Sequence, residues 1–179
     1  MLSKIKPYSI YVVILAVLAN SCGAVVRMKG NQYLTEEHGA IPIDFRGDNT
    51  TIIFITHHRS YNKYLKRNVK KHYHGSYEFI TAGEFEENDK YLDTNIYRYV
   101  FDYKYISPGG VVFKNQTVTS GNFSTTMSTA RAPLYNVKKF SIWDRQNDLI
   151  YSSKITSSFW SKLQKVYLKK LEKKRITSM

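Results

Sequence analysis

The stretch Thr51–Thr81, TIIFITHHRSYNKYLKRNVKKHYHGSYEFIT, decides the fold. Its opening, TIIFIT, is a short β-branched run without a polar face, the pattern of a strand covered on both sides. Ser60 is placed to cap a helix over 61–73, in which Tyr61, Tyr64, Leu65, Asn68, Val69 and Tyr73 recur at helical spacing. Lys63, Lys66, Arg67, Lys70 and Lys71 fill the rest of that helix, Gly75 ends it, and YEFIT at Tyr77–Thr81 reads as a second strand. Two strands joined by one helix are expected to run parallel, with a right-handed crossover.

Working outward, Asn95–Ile106 alternates strictly, with Tyr97, Tyr99, Phe101, Tyr103 and Tyr105 on one face and Arg98, Val100, Asp102, Lys104 and Ile106 on the other. Period two means a strand. After Ser107, Pro108, Gly109 and Gly110, the run VVFKNQTVT is expected to fold back as its hairpin partner, and the Ser, Thr, Asn and Gly-rich stretch 120–133 reads as a loop. Lys138–Trp143 and Leu149–Ser152 flank a polar turn and read as a second hairpin. The last segment is helical over about 157–173, with Ser157 or Ser158 as cap and Phe159, Trp160, Leu163, Val166, Tyr167 and Leu171 facing inward. The expected fold is α+β: a single domain over 41–179, with a mixed sheet of about five or six strands and two basic amphipathic helices covering one face.

The chain has 179 residues, of which 42% are apolar and 15% aromatic, which suits one globular unit and excludes a disordered chain. Lys and Arg outnumber Asp and Glu by 27 to 14, a formal charge of +13. A field of that sign favours anionic neighbours, and it speaks to association rather than to fold.

The amino terminus has the parts of an export signal: basic Lys4 and Lys6, an apolar core from Ile10 to Ala19, and small residues around its end. That core is about half the length of a bilayer-spanning helix. The one cysteine, Cys22, stands where the apolar run stops, and Leu18, Ala19, Asn20, Ser21, Cys22 resembles the lipobox of prokaryotic lipoproteins. The resemblance covers only the leader, and Asn20 departs from the strictest form of the motif. It implies a signal peptide over 1–21, a diacylglyceryl group on the Cys22 sulfur, and a mature chain held at a membrane by acyl chains. The competing reading is an ordinary secretory leader cut after Ala24. Residues 22–40, interrupted by Gly30, Asn31 and Gly39, read as a tether between anchor and domain.

His57 and His58 after the first strand, and His72 and His74 after the first helix, are the metal-ligand types present. They stand at opposite ends of one β-α unit, so they read as solvated loop histidines, and no metal or other cofactor is expected. Asp102 could pair with Glu78, Asp93 or Asp144 for acid–base work, but no spacing fixes such a pair. The aromatic row Tyr97, Tyr99, Phe101, Tyr103 and Tyr105 reads first as core and second as a stacking platform for sugar rings. The leading expectation is therefore a non-enzymatic cell-envelope lipoprotein, anchored at Cys22 and meeting the membrane, an envelope protein or an anionic polysaccharide or lipid. Nucleic acid is not an expected partner. An enzyme or carbohydrate-binding module acting on envelope polymers is the alternative.

Overall fold

A parallel pair of strands lies at the heart of the fold, as the Thr51–Thr81 stretch predicts. The computed structural model describes residues 23–45, 50–106, 112–120, 123–131 and 137–177. Helix α1 covers residues 23–33 of these. Then follow β1 (Ile52–Thr56), α2 (Arg59–His72), β2 (Tyr77–Thr81), the short α3 (Ala82–Glu87), a 3-10 turn (Asp89–Leu92) and β3 (Tyr99–Ile106). β4 (Val112–Ser120) and β5 (Phe123–Arg131) form a separate two-stranded sheet, and β6 (Val137–Asp144), β7 (Leu149–Ser152) and α4 (Trp160–Thr177) complete the chain.

The main sheet is mixed and five-stranded, in the order β2-β1-β3-β6-β7. β1 runs parallel to β2, with Ile52 opposite Tyr77, and parallel to β3, with Phe54 opposite Phe101. β6 is antiparallel to both β3 and β7. The single-domain α+β expectation holds. Two strand assignments do not: β4 pairs with β5 rather than with β3, and the stretch expected to be a loop contains β5.

Alternation sorts the sheet residues onto two faces. Ile52, Phe54, Tyr99, Phe101, Tyr103, Phe140 and Ile142 face α1, α2 and α4, where they meet Leu65 and Val69 of α2 and Leu163, Tyr167 and Leu171 of α4. Ile53, Ile55, Ile80 and Val100 face the other way, under Tyr91 and Phe85 from the β2-to-β3 connection. The first crossover thus covers one face and the second covers the other. Each fully buried large side chain contributes on the order of 2–3 kcal/mol of hydrophobic stabilisation.

The expected tether over 22–40 is corrected by the described part of it. Val26, Gly30 and Leu34 fall on one stripe of α1 and its continuation, and Leu34 is wholly buried against the α4 side of the core. A Cβ on Gly30 would come within 2.8 Å of the Val166 Cγ1, so the glycine read as a breaker is where α1 meets α4. Ala40 and Phe45 are also buried, and the buried Tyr167 hydroxyl donates to the Ala40 carbonyl.

Helix termini differ in detail from the sequence reading. His58, not Ser60, caps α2: its Nδ1 accepts the Tyr61 N–H at 3.3 Å, and the Ser60 hydroxyl bonds the same nitrogen at 2.8 Å. The far end of α2 and α4 are tied together by Glu172, which accepts the His74 N–H at 3.1 Å and the Arg175 guanidinium at 3.0 and 2.8 Å. Phe159, expected inward, is exposed just before α4 begins.

Candidate functional site at the carboxyl ends of the parallel strands

β1 has its successor β2 on one side and β3 on the other, so the chain reverses direction across the sheet at the β1–β3 boundary. In open sheets of parallel strands that boundary leaves a crevice at the carboxyl ends, because the two crossovers leave toward opposite faces. His57 is the residue after β1, and Asp102 lies on the neighbouring β3. Their side chains meet there: His57 Nε2 is 2.6 Å from Asp102 Oδ1. The same oxygen accepts the Tyr103 N–H at 2.6 Å, which fixes the carboxylate against its own strand. About a third of each side chain is exposed, 31% for His57 and 37% for Asp102, so the pair is open to a ligand.

The His57 backbone is fixed as well. Its N–H donates to Asn62 Oδ1 at 2.9 Å, and the Asn62 amide returns a bond to the His57 carbonyl at 3.3 Å. The imidazole ring packs at 4.6 Å from the Tyr103 ring and 5.5 Å from the Tyr61 ring. Burial first, and the Asp102 charge next, push the Tyr61 hydroxyl well above its ordinary range. The phenol therefore stays protonated beside the carboxylate.

Asp102 also lines a cavity of about 240 Å³ on the face away from α2 and α4. Its walls are Ile55, Ala82, Val100, Phe85, Trp143 and Ile150, with Glu86, Lys104 and Ser141 beside Asp102 as the polar groups. Pockets for drug-sized molecules start near about 300 Å³, so this one suits a single ring or a short acyl chain. An apolar body with one polar end matches the lining.

On the opposite face of the same strand end lies a group that sequence reasoning missed. Lys138 on β6 is only 6% exposed. Its ammonium sits 4.8, 4.6 and 5.0 Å from the ring centres of Tyr103, Tyr105 and Trp160, and donates to the Tyr105 hydroxyl at 3.2 Å. Aromatic faces stand in for a carboxylate around this cation. The Tyr103 hydroxyl and then Lys138 hold the Tyr105 phenol below its ordinary value, while burial pushes Tyr103 up.

The five aromatics do not form one open platform. Tyr99 and Phe101 are wholly buried beneath α2 and α4, and Tyr103 is nearly so, which leaves no face for a sugar ring. Tyr97 precedes β3 and packs into the opposite cluster, its hydroxyl donating to Glu78 at 3.1 Å. Only Tyr105 of the row is exposed, at 53%. The core reading is the correct one for Tyr99, Phe101 and Tyr103.

The other proposed acid–base partners are placed elsewhere. Asp144 is completely buried and is gripped by Arg98 through two bonds of 2.8 and 2.7 Å. Arg98, which shares a strand face with Asp102 in the sequence alternation, is thus turned to Asp144 and also bonds Asp44. Glu78 accepts from Lys90, Tyr91 and Tyr97, and Lys90 first among these holds it below its ordinary value. His74 bonds Glu172, and desolvation together with Lys165, Lys169 and Lys71 holds His72 down. Among the described residues, no group of three or more His, Cys, Asp and Glu is arranged to hold a metal ion. None of the described helices is long and apolar enough to cross a membrane. Cys22 and the leader lie outside the described residues.

Protein-family models, curated proteins and solved structures offer no match to this chain.

Proposed function

We propose that this chain is an exported, lipid-anchored domain of the cell envelope that works as a binding module, with its ligand seat in the cavity beside Asp102. The lipid anchor is argued from the leader that ends at Cys22. The observation that carries the binding reading is the cavity itself. An apolar recess of about 240 Å³ opens at the strand switch point, with Asp102, Glu86, Lys104 and Ser141 grouped among its lining. Apolar walls supply affinity, and a few placed polar groups fix orientation. A small ligand with an apolar body and a carboxylate fits if its charge meets Lys104, the one cation of the lining, and is held off Asp102 and Glu86, with its body lying against Trp143.

The test uses the chain's own fluorophores, since it has two tryptophans and one of them lines the cavity. In a Trp160→Phe background, titration with benzoate or hexanoate is expected to shift Trp143 emission saturably, and Lys104→Gln to weaken the effect. An emission spectrum that no such ligand moves would remove the binding reading.

One observation favours a second reading, an enzyme acting on envelope polymers. A carboxylate that orients an imidazole is the arrangement of a general base, and His57 and Asp102 have that geometry at an open crevice. Cleavage of cell-wall polysaccharide by the purified protein, abolished by Asp102→Asn, would establish it in place of the first.

A further inference from the structure

The helical layer concentrates the chain's positive charge. α1, α2 and α4 hold two, six and seven Lys or Arg residues and a single carboxylate, Glu172. Six of the other thirteen carboxylates belong to the opposite side, between Glu78 and Asp93, on β2 and the connection that covers the far face of the sheet. Along α4 the exposed positions between 160 and 175 are Lys162, Lys165, Lys169 and Lys173, about one per turn. Partial desolvation first, and then Lys169, Lys71, Arg27 and Arg67, hold the Lys165 ammonium below its ordinary value. Among the described residues none of these five cations makes an ion pair. A one-sign face of this kind is repelled by itself and relieved by an anionic partner.

The end of the layer next to Cys22 has a different character. Gly23 lies so close to Lys162 that a Cβ there would meet its Nζ at 2.9 Å. The same ammonium stands 5.1 Å over the ring of Phe159, which is 46% exposed, and Met28 on α1 is 64% exposed. Exposed apolar side chains beside lysines are what the headgroup boundary of a bilayer accepts. Because α1 is packed on α4, an acyl chain on the preceding residue leaves the domain at this layer with no slack chain between.

We infer that the outer face of the α1, α2 and α4 layer lies flat on an anionic phospholipid bilayer. Lys162, Lys165, Lys169 and Arg67 sit over headgroups, while Met28 and Phe159 enter between them. This orientation rests on the lipid-anchor reading, since the anchor at Cys22 brings that end of the layer to the membrane. It directs the His57–Asp102 crevice and its cavity toward the envelope space.

Amine-reactive footprinting of the full chain, read lysine by lysine by mass spectrometry, tests the inference. The chain purified from membranes is reconstituted on vesicles of pure phosphatidylcholine and on vesicles containing phosphatidylglycerol. On the anionic vesicles Lys162, Lys165 and Lys169 are expected to label several-fold more slowly, with Lys90 and Lys104 on the far face unchanged. Strong salt should erase the difference. Reversing Lys165 and Lys169 to Glu, both exposed and outside the core, should weaken the flat orientation by about 25-fold or more, each lysine near such a surface counting for about fivefold. Uniform labelling on both vesicles would overturn the inference, as would protection of the same lysines by a soluble anionic polysaccharide but not by vesicles. Intact mass, taken on the same sample, separates the two claims. A lipidated chain with unprotected lysines refutes the docking and leaves the anchor standing, whereas an unlipidated chain that still sediments with anionic vesicles under the same footprint supports the docking without the anchor.

Discussion

Replacing Arg98 with Met removes the cation that, among the described residues, neutralises Asp144. The carboxylate has no accessible surface, and the guanidinium side chain is 15% exposed, so the pair sits where charges are costly to leave alone. After the substitution Asp144 keeps the Gln146 N–H at 3.2 Å and the Asn147 amide at 2.9 Å but no positive partner. Breaking a buried pair from one side costs about 3–5 kcal/mol, a large part of a total folding stability of about 5–15 kcal/mol. For a chain of this size the melting temperature should fall by roughly 6–20 °C, at about 2–4 °C per kcal/mol. Methionine keeps an apolar stem beside the Tyr99 ring, so the loss belongs to the charge and not to an empty space. The pH dependence has a definite sign. In the native protein burial alone would raise the Asp144 carboxyl, and the bonds from Arg98 and Asn147 overcome it, leaving the group below its ordinary value. Its contribution is therefore present above the usual carboxylate range and is lost as pH falls. Without Arg98 burial wins and the group rises, so the deficit of the variant should shrink toward pH 4. Circular-dichroism melts and urea midpoints at pH 7 and pH 4 read both effects. A double variant with Asp144→Leu should recover much of the loss. A single-variant deficit under about 1 kcal/mol, or one that grows on acidification, would refute the clamp.

Two further outcomes follow from the helical layer. Gly30→Ala should destabilise the domain by about 1–3 kcal/mol in urea unfolding, because the new methyl meets Val166, and Val166→Ala in the same chain should return most of it; a neutral single variant would mean that α1 is not packed as described. Glu172 is held down to about 2, first by its bonds to Arg175 and then by His74 against the opposing effect of burial. A depressed carboxylate stabilises above its unfolded value and loses that contribution as pH falls from about 4.5 toward 2, on the order of 3 kcal/mol at most. Glu172→Gln should therefore lower stability at pH 7 and flatten the acid limb of the stability curve, and a variant with an unchanged acid limb would contradict the assignment.

The central unit was legible because its signals are local. TIIFIT, a helix with a basic exterior and YEFIT each declare themselves within a dozen residues, and the alternation of β3 is visible without a partner. The hairpin of β6 and β7 was legible for the same reason. β5 was missed because FSTTMSTAR offers hydroxyl side chains, which suit both strand and loop, where a strand reading looks for apolar alternation. α1 is hidden in the sequence because Gly30 has the propensity of a breaker, whereas its lack of a side chain serves the approach of Val166, a contact across more than a hundred residues. The site was legible only in parts. His57 and Asp102 were each singled out, but the register between β1 and β3 that joins them cannot be read from a separation of 45 residues. Lys138 in a strand reads as a solvent-facing residue, and only the fold reveals the three aromatic rings around it.

The central claim is that this domain is held at a membrane by a lipid on Cys22, and intact mass of the membrane-extracted protein tests it most directly. Wild type beside Cys22→Ser should show a mature chain that begins at Cys22 and is heavier by a diacylglyceryl group, with the variant unprocessed or released. A chain beginning at Val25 with no added mass would contradict the claim and make the protein a freely secreted one.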